Sequence, residues 1–198
     1  MFKRREAIAA GIGALSLYVP QGPVFAAKPI LSDPLTAPIP GLTIAPEFYP
    51  AVVRVKRSFE PGSIHVVSSQ HYLYLITSRG QAIRYGVAVG RAELVFRGAA
   101  EVGRKAEWPS WKPTPEMLER NPAYARYADG MPGGPKNPLG ARAIYLYQNG
   151  RDTAIRIHGT TEPNSIGRSV SNGCLRMVND HVIDLYERVE LGASVSVY

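Results

Sequence analysis

Short runs of β-branched and aromatic residues, each closed by a turn signal, constrain this chain more than any other feature. Val52-Val53-Arg54-Val55, Ser63 to Ser68, Tyr72 to Thr77 and Ala82 to Val89 have strand length, and Pro61-Gly62, Ser69-Gln70 and Arg79-Gly80 separate them. Tyr72, Tyr74 and Ile76 alternate with Leu73 and Leu75, so apolar groups lie on both faces and both are expected to be covered. Ala143 to Tyr147 and Ala154 to Ile157 predict two more strands, joined through the hairpin turn Asn149-Gly150. Near the end, Val182, Ile183, Leu185, Tyr186 and Val189 follow helical spacing, with Asn179 or Asp180 expected as cap, and Ser194 to Tyr198 reads as a closing strand. The fold class is therefore mainly β with short helices (α+β). The roughly 150 residues from Val52 onward suffice for one domain with its own core.

The first residues read differently. Lys3-Arg4-Arg5, an apolar run from Ala7 to Val19 and the small-residue site Val24-Phe25-Ala26 predict a secretory signal peptide over residues 1–26. The apolar run falls short of the about 20 residues that a spanning helix needs, and no membrane span is expected in the mature chain. Pro29, Pro34, Pro38, Pro40, Pro46 and Pro50 then predict an extended linker, assigned to residues 27–55. The formal charge is +7; losing Lys3, Arg4, Arg5 and Glu6 with the signal lowers it by two. A basic exported protein suits an anionic envelope. Nucleic acid is not an expected partner, because no long Lys/Arg run or binding motif follows the signal.

Residues 99–140 read as a long basic-aromatic insertion containing Arg104-Lys105, Trp108, Trp111 and Lys112. Thr114-Pro115 is a helix start, so a short helix is expected over 116–127, broken at Asn121-Pro122. The two tryptophans suit packing of the loop or stacking on a ligand.

The chemistry centres on Ile157-His158-Gly159-Thr160 and Ser171-Asn172-Gly173-Cys174-Leu175-Arg176-Met177, which holds the only cysteine. A thiol attacks as thiolate, its free pKa is about 8.5, and an imidazole is a common means of deprotonating it. Gly173 allows close approach of backbone to a reacting carbonyl, so the Gly173 and Cys174 amides are candidate oxyanion donors. A lone cysteine also fits a small buried apolar group, and a lone histidine beside a strand fits a satisfied core residue. Export favours chemistry, since exported proteins use cysteines mostly in pairs and a single thiol stands out. His65 and His71 are assigned to structure because no metal-ligand spacing joins them to Cys174, and no metal site is expected. His181 is assigned to capping of the last helix.

His158-Gly159-Thr160 followed by Ser171-x-Gly173-Cys174-x-Arg176-Met177 resembles the signature of L,D-transpeptidases with the YkuD-type catalytic domain. Gln70-His71-Tyr72-Leu73-Tyr74-Leu75, Gly86-Val87-Ala88-Val89-Gly90-Arg91 and the loop from Gly130 to Gly140 extend the resemblance over residues 62–198, the expected catalytic domain. Two departures are visible. Val95-Phe96-Arg97-Gly98 stands where many members carry Thr-Pro-x-Gly, and Asn172 stands where some have histidine.

The resemblance implies a single compact sandwich- or barrel-like β domain acting on peptidoglycan stem peptides. Cys174 would be the nucleophile and His158 the proton donor and acceptor, oriented by the carbonyl of Gly159. Gly173 would supply an oxyanion-hole amide. Ser171, Asn172 and Arg176 are candidate substrate contacts, with bracing of the loop and an internal ion pair as the plainer roles of Ser171 and Arg176. The thioester formed on release of D-alanine would pass to a second stem, an envelope protein's amine, a D-amino acid or water. No metal or organic cofactor is implied, and the location would be periplasm or cell envelope. A purely hydrolytic carboxypeptidase and a non-catalytic peptidoglycan-binding module are the alternatives.

Overall fold

The computed structural model describes residues 41–198. The expected signal peptide and the linker up to residue 40 lie outside the described residues. Eleven strands run through the chain: β1 (Ala51–Arg54), β2 (Ile64–Val67), β3 (Tyr72–Ser78), β4 (Gln81–Gly86), β5 (Val89–Gly90), β6 (Gly98–Glu107), β7 (Arg142–Gln148), β8 (Arg151–His158), β9 (Ser169–Ser171), β10 (Leu175–Arg176) and β11 (Ser194–Val197). Two short helices accompany them, α1 (Pro115–Arg120) and α2 (Asn179–Arg188). The mainly β class with few short helices is what the strand-length runs anticipated. No helix among the described residues is long and apolar enough to cross a membrane.

Nine strands form one sheet in the order β1-β4-β3-β2-β11-β6-β7-β8-β10, while β5 and β9 pair separately. Laid flat, eight inter-strand spacings of about 4.8 Å would span roughly 38 Å, too wide for one small core. The sheet instead curls. Ile64, Leu73, Tyr85, Val102, Leu146, Ile157, Leu175 and Val195, drawn from strands across its width, meet in a single buried cluster with Val182 and Leu185 of α2 and Val189 just after it. The circle closes at Ala88, just past β4, which exchanges two 2.9 Å backbone hydrogen bonds with Arg176 of β10.

β3 shows why both of its faces are apolar. Leu73 and Leu75 enter the main cluster, whereas Tyr74 and Ile76 join Ala51, Val53 and Ala82 in a second cluster on the opposite face. That second cluster corrects the linker boundary. Ala51–Arg54 is an edge strand paired antiparallel with β4, so the segment assigned to linker through residue 55 belongs to the sheet from Ala51 onward. Just upstream, Leu42, Ile44 and Phe48 pack against Ala88, Ile166 and Val178. Proline spacing hid this, because prolines exclude helix but do not say whether an extended segment is solvated or docked.

The expected insertion also starts later than residue 99. β6 occupies ten residues between β11 and β7, with Ala100 and Val102 buried while Glu101 and Arg104 face outward. Gly103 and a register shift between Val102 and Arg104 interrupt its alternation, which obscured the strand. Beyond it, Thr114 caps α1 by accepting from the Met117 amide at 3.3 Å, and the helix stops at Asn121 as expected. Trp111 packs edge-on against Tyr124 and Tyr127, with centroids 5.6 and 5.7 Å away, and so organises the loop; Trp108 is 46% exposed.

Phe48 holds the segment before β1 by lying against Gly86. A Cβ added to Gly86 would stand 2.5 Å from Phe48 Cβ and 2.7 Å from its carbonyl oxygen. Gly86→Ala is therefore expected to cost about 1–3 kcal/mol by overpacking, read as a lower midpoint in urea unfolding. An unchanged midpoint would mean that this segment does not dock as described.

Candidate active site

His158 is the last residue of β8, and its backbone is fixed on both sides. Its carbonyl accepts from the Met177 amide at 2.8 Å, and the next amide, Gly159, donates to Arg142 O at 3.1 Å. β10 runs parallel to β8, with Arg176 opposite His158 and Leu175 opposite Ile157. Cys174 immediately precedes β10, so this two-residue pairing brings the thiol and imidazole segments side by side.

The imidazole is buried, and its Nδ1 lies 2.6 Å from Gly159 O. A carbonyl only accepts, so Nδ1 carries the proton and Nε2 is left as the basic nitrogen. Burial is the main cause that lowers the His158 pKa to about 4; hydrogen bonding to the Gly159 and Leu139 backbone opposes it, and Arg176 and Arg156 add to it. The imidazole is therefore neutral at pH 7. Gly159 itself is tightly packed. Asn179 Oδ1 accepts from the Ala141 amide at 3.0 Å, and a Cβ on Gly159 would stand 2.1 Å from that oxygen.

Cys174 is partly exposed, in the turn between β9 and β10. Gly173 has φ +117°, a conformation that favours glycine, and lies close against Gly90 and Leu94. Ser171 braces the turn: its hydroxyl donates to Cys174 O at 2.5 Å and accepts from the Gly173 amide at 3.2 Å. Burial raises the Cys174 pKa, and the Arg156 backbone, followed by the Arg156 and Arg176 charges, partly offsets it. The resting pair is thus neutral thiol with neutral imidazole. In this state the thiol's hydrogen bond goes to Ala154 O, 3.7 Å away. Proton transfer to His158 requires that contact to be exchanged for one to Nε2.

Several expected roles look different in three dimensions. The Gly173 amide is engaged by Ser171, which leaves the Cys174 amide as the less encumbered oxyanion donor. Ser171 is buried and its hydroxyl is used within the turn. Arg176 pairs with Glu162 at 2.7 Å, the plainer of its two expected roles. Asn172 is half-buried at the turn. α2 begins with Val178 as N-cap, so neither Asn179 nor Asp180 caps it, and His181 is a buried ring whose nitrogens lack partners. Asn179 escaped the sequence reading because asparagine at a helix start is expected to cap, and only the fold brings it to Gly159.

Two outcomes test this geometry. Alkylation of Cys174 by iodoacetamide should keep accelerating above the usual thiol range of about 8.5, because burial favours the protonated thiol; a plateau near neutral pH would contradict it. Gly159→Ala should push Asn179 away and displace the carbonyl that holds His158, costing about 1–3 kcal/mol in thermal unfolding. Wild-type stability in that variant would show the contact to be loose.

Comparison with known proteins converges on one family. The YkuD L,D-transpeptidase catalytic-domain model matches residues 61–197. Escherichia coli K12 has a relative named probable L,D-transpeptidase ErfK/SrfK, 34% identical over 140 residues that cover 68% of this chain and 42% of that protein. This chain spans about half the length of the curated relatives it matches. A solved Brucella melitensis protein, named a probable carnitine operon oxidoreductase, is 52% identical, with a TM-score of 0.54 over 76% of this chain and 93% of that one. A likeness of fold carries no activity from one chain to the other. An L,D-transpeptidase of Enterococcus faecium shares the fold at 16% identity, with a TM-score of 0.53 over 71% of this chain and 50% of that one. Because the family model spans both His158 and Cys174 and more than half of the sequence, this chain belongs to the YkuD L,D-transpeptidase catalytic-domain family.

Proposed function

We propose that this protein is an exported L,D-transpeptidase that acts on peptidoglycan stem peptides through a thioester on Cys174. The observation that carries the reading is the 2.6 Å bond between His158 Nδ1 and Gly159 O, which makes Nε2 the basic nitrogen, in the segment beside the only thiol. Any buried histidine gains by satisfying one ring N–H; the catalytic reading is supported because this one ends β8 in the segment paired with the one that follows Cys174.

Nε2 takes the thiol proton as the sulfur attacks the carbonyl of the third stem residue, meso-diaminopimelate in the expected substrate. The Cys174 amide stabilises the tetrahedral oxyanion, joined by the Gly173 amide if Ser171 releases it. Collapse breaks the C–N bond to the terminal D-alanine, whose nitrogen receives the proton from the imidazolium. An incoming amine, from a second stem or an envelope protein, attacks the thioester, passes a proton to His158 and expels the sulfur, which is reprotonated. Water in place of the amine would make the same site a carboxypeptidase. The signal peptide read over residues 1–26 and the basic charge support an envelope location.

Intact mass spectrometry with a carbapenem tests the reading, because attack by the sulfur on the lactam carbonyl opens the ring and leaves the whole drug attached. Wild type should gain one adduct, Cys174→Ala none, and His158→Ala should acylate roughly 10²–10⁴-fold more slowly. A folded wild-type protein that gains no adduct would overturn the proposal and favour a binding module. Incubation with stem tetrapeptide and an amine acceptor then separates transfer from hydrolysis by product mass.

A further inference from the structure

Close to Cys174, β8 abandons regular pairing. Arg156 is opposite Tyr145 and Asp152 opposite Tyr147, so Thr153, Ala154 and Ile155 together stand opposite Leu146 alone. Ala154 has φ +62°, a left-handed conformation that non-glycine residues avoid. Its side chain is exposed, so core packing does not explain the strain. Such strain persists only where the surroundings impose it, and it is concentrated at functional sites.

The surroundings here are side chains that take up the backbone groups released by the bulge. Asp152 Oδ1 accepts from the Ala154 amide at 2.8 Å. Thr153 Oγ1 donates to Leu146 O at 2.7 Å and accepts from the Ile155 amide at 3.1 Å. Arg156 grips both Asp152 oxygens, at 2.6 and 2.9 Å, and lies over the Tyr145 ring at 4.3 Å. The same guanidinium donates to Ile155 O at 3.2 Å. The Ala154 carbonyl is left facing the thiol of Cys174.

We propose that the bulge from Asp152 to Ile155 is a positioning device for the nucleophile, in which Asp152, held by Arg156, keeps Ala154 left-handed so that its carbonyl selects the resting rotamer of the protonated Cys174 thiol, from which the S–H turns to His158. The inference rests on the reading of Cys174 as nucleophile. A partly exposed thiol otherwise has three staggered rotamers to explore, and attack requires one of them. Asp152 is thus a positioning residue that acts through backbone and touches no reacting atom.

The test compares two reactions of the same sulfur. Iodoacetamide needs only thiolate, whereas acylation by a carbapenem also needs the sulfur to be aimed. Asp152→Ala should slow carbapenem acylation roughly ten- to a hundred-fold while leaving iodoacetamide alkylation as fast as, or faster than, wild type, since a negative neighbour is removed. Asp152→Asn, which keeps an oxygen for the Ala154 amide, should recover part of the loss. Ala154→Val, whose β-branch resists a positive φ, should acylate more slowly than Ala154→Gly, which adopts it freely. Circular-dichroism melts establish that each variant is folded, and the contrast between the Ala154 variants stands even if Asp152→Ala does not fold. Acylation of Asp152→Ala at or above the wild-type rate, equal slowing of both reactions, or no difference between the Ala154 variants would overturn the device. Failure of wild type itself to acylate would instead remove the nucleophile reading, and the device with it.

Discussion

The site depends on a pairing only two residues long. Leu175 and Arg176 lie parallel to Ile157 and His158 on one side, and Arg176 exchanges hydrogen bonds with Ala88 on the other. Parallel neighbours cannot be joined by a tight hairpin, so the chain must leave β8, cross the surface through residues 159–170 and return. That detour lets the last residue of one strand and the residue before the next lie in adjacent segments. Because the same pairing closes the curled sheet, the closure that buries Ile157 and Leu175 also assembles the thiol and the imidazole.

Around this pairing, polar groups are spent with little left over. The Gly159 carbonyl sets the imidazole tautomer, the Asn179 amide side chain holds the neighbouring loop, and the Ser171 hydroxyl bridges the nucleophile's turn. Burial keeps the His158 imidazole and the Cys174 thiol neutral. A neutral pair avoids the cost of holding a buried thiolate and imidazolium.

Much of the fold was legible because strands announce themselves by period and length. β2, β3, β4, β7 and β11 coincide with runs visible in the residues, and the break at Asn121-Pro122 divides α1 from the turn after it. β6 was not legible, since Gly103 and a register shift disrupt its alternation. β1 reads both as a strand from Val52 and as the end of a linker to residue 55, because its docking against β4 is a tertiary event. In the site, residue type and spacing marked Cys174 and His158, and the family resemblance pointed to the Gly159 carbonyl. Loop bracing by Ser171 and an internal ion pair of Arg176 were among the expected roles, but the partners, the Gly173 amide and Glu162, are set by the folded turn and by a residue fourteen positions away.

The sequence by itself determined a mainly β chain with a single thiol and a histidine at the end of a strand, because side-chain periodicity and chemical identity are local properties. Only the tertiary structure decided which backbone groups remain available to a substrate, since that depends on what each amide and carbonyl already binds. It also decided that an ordinary alanine, Ala154, takes a left-handed backbone beside Cys174. Nothing in the residue asks for that conformation; Asp152, Thr153 and Arg156 impose it by satisfying the groups around it.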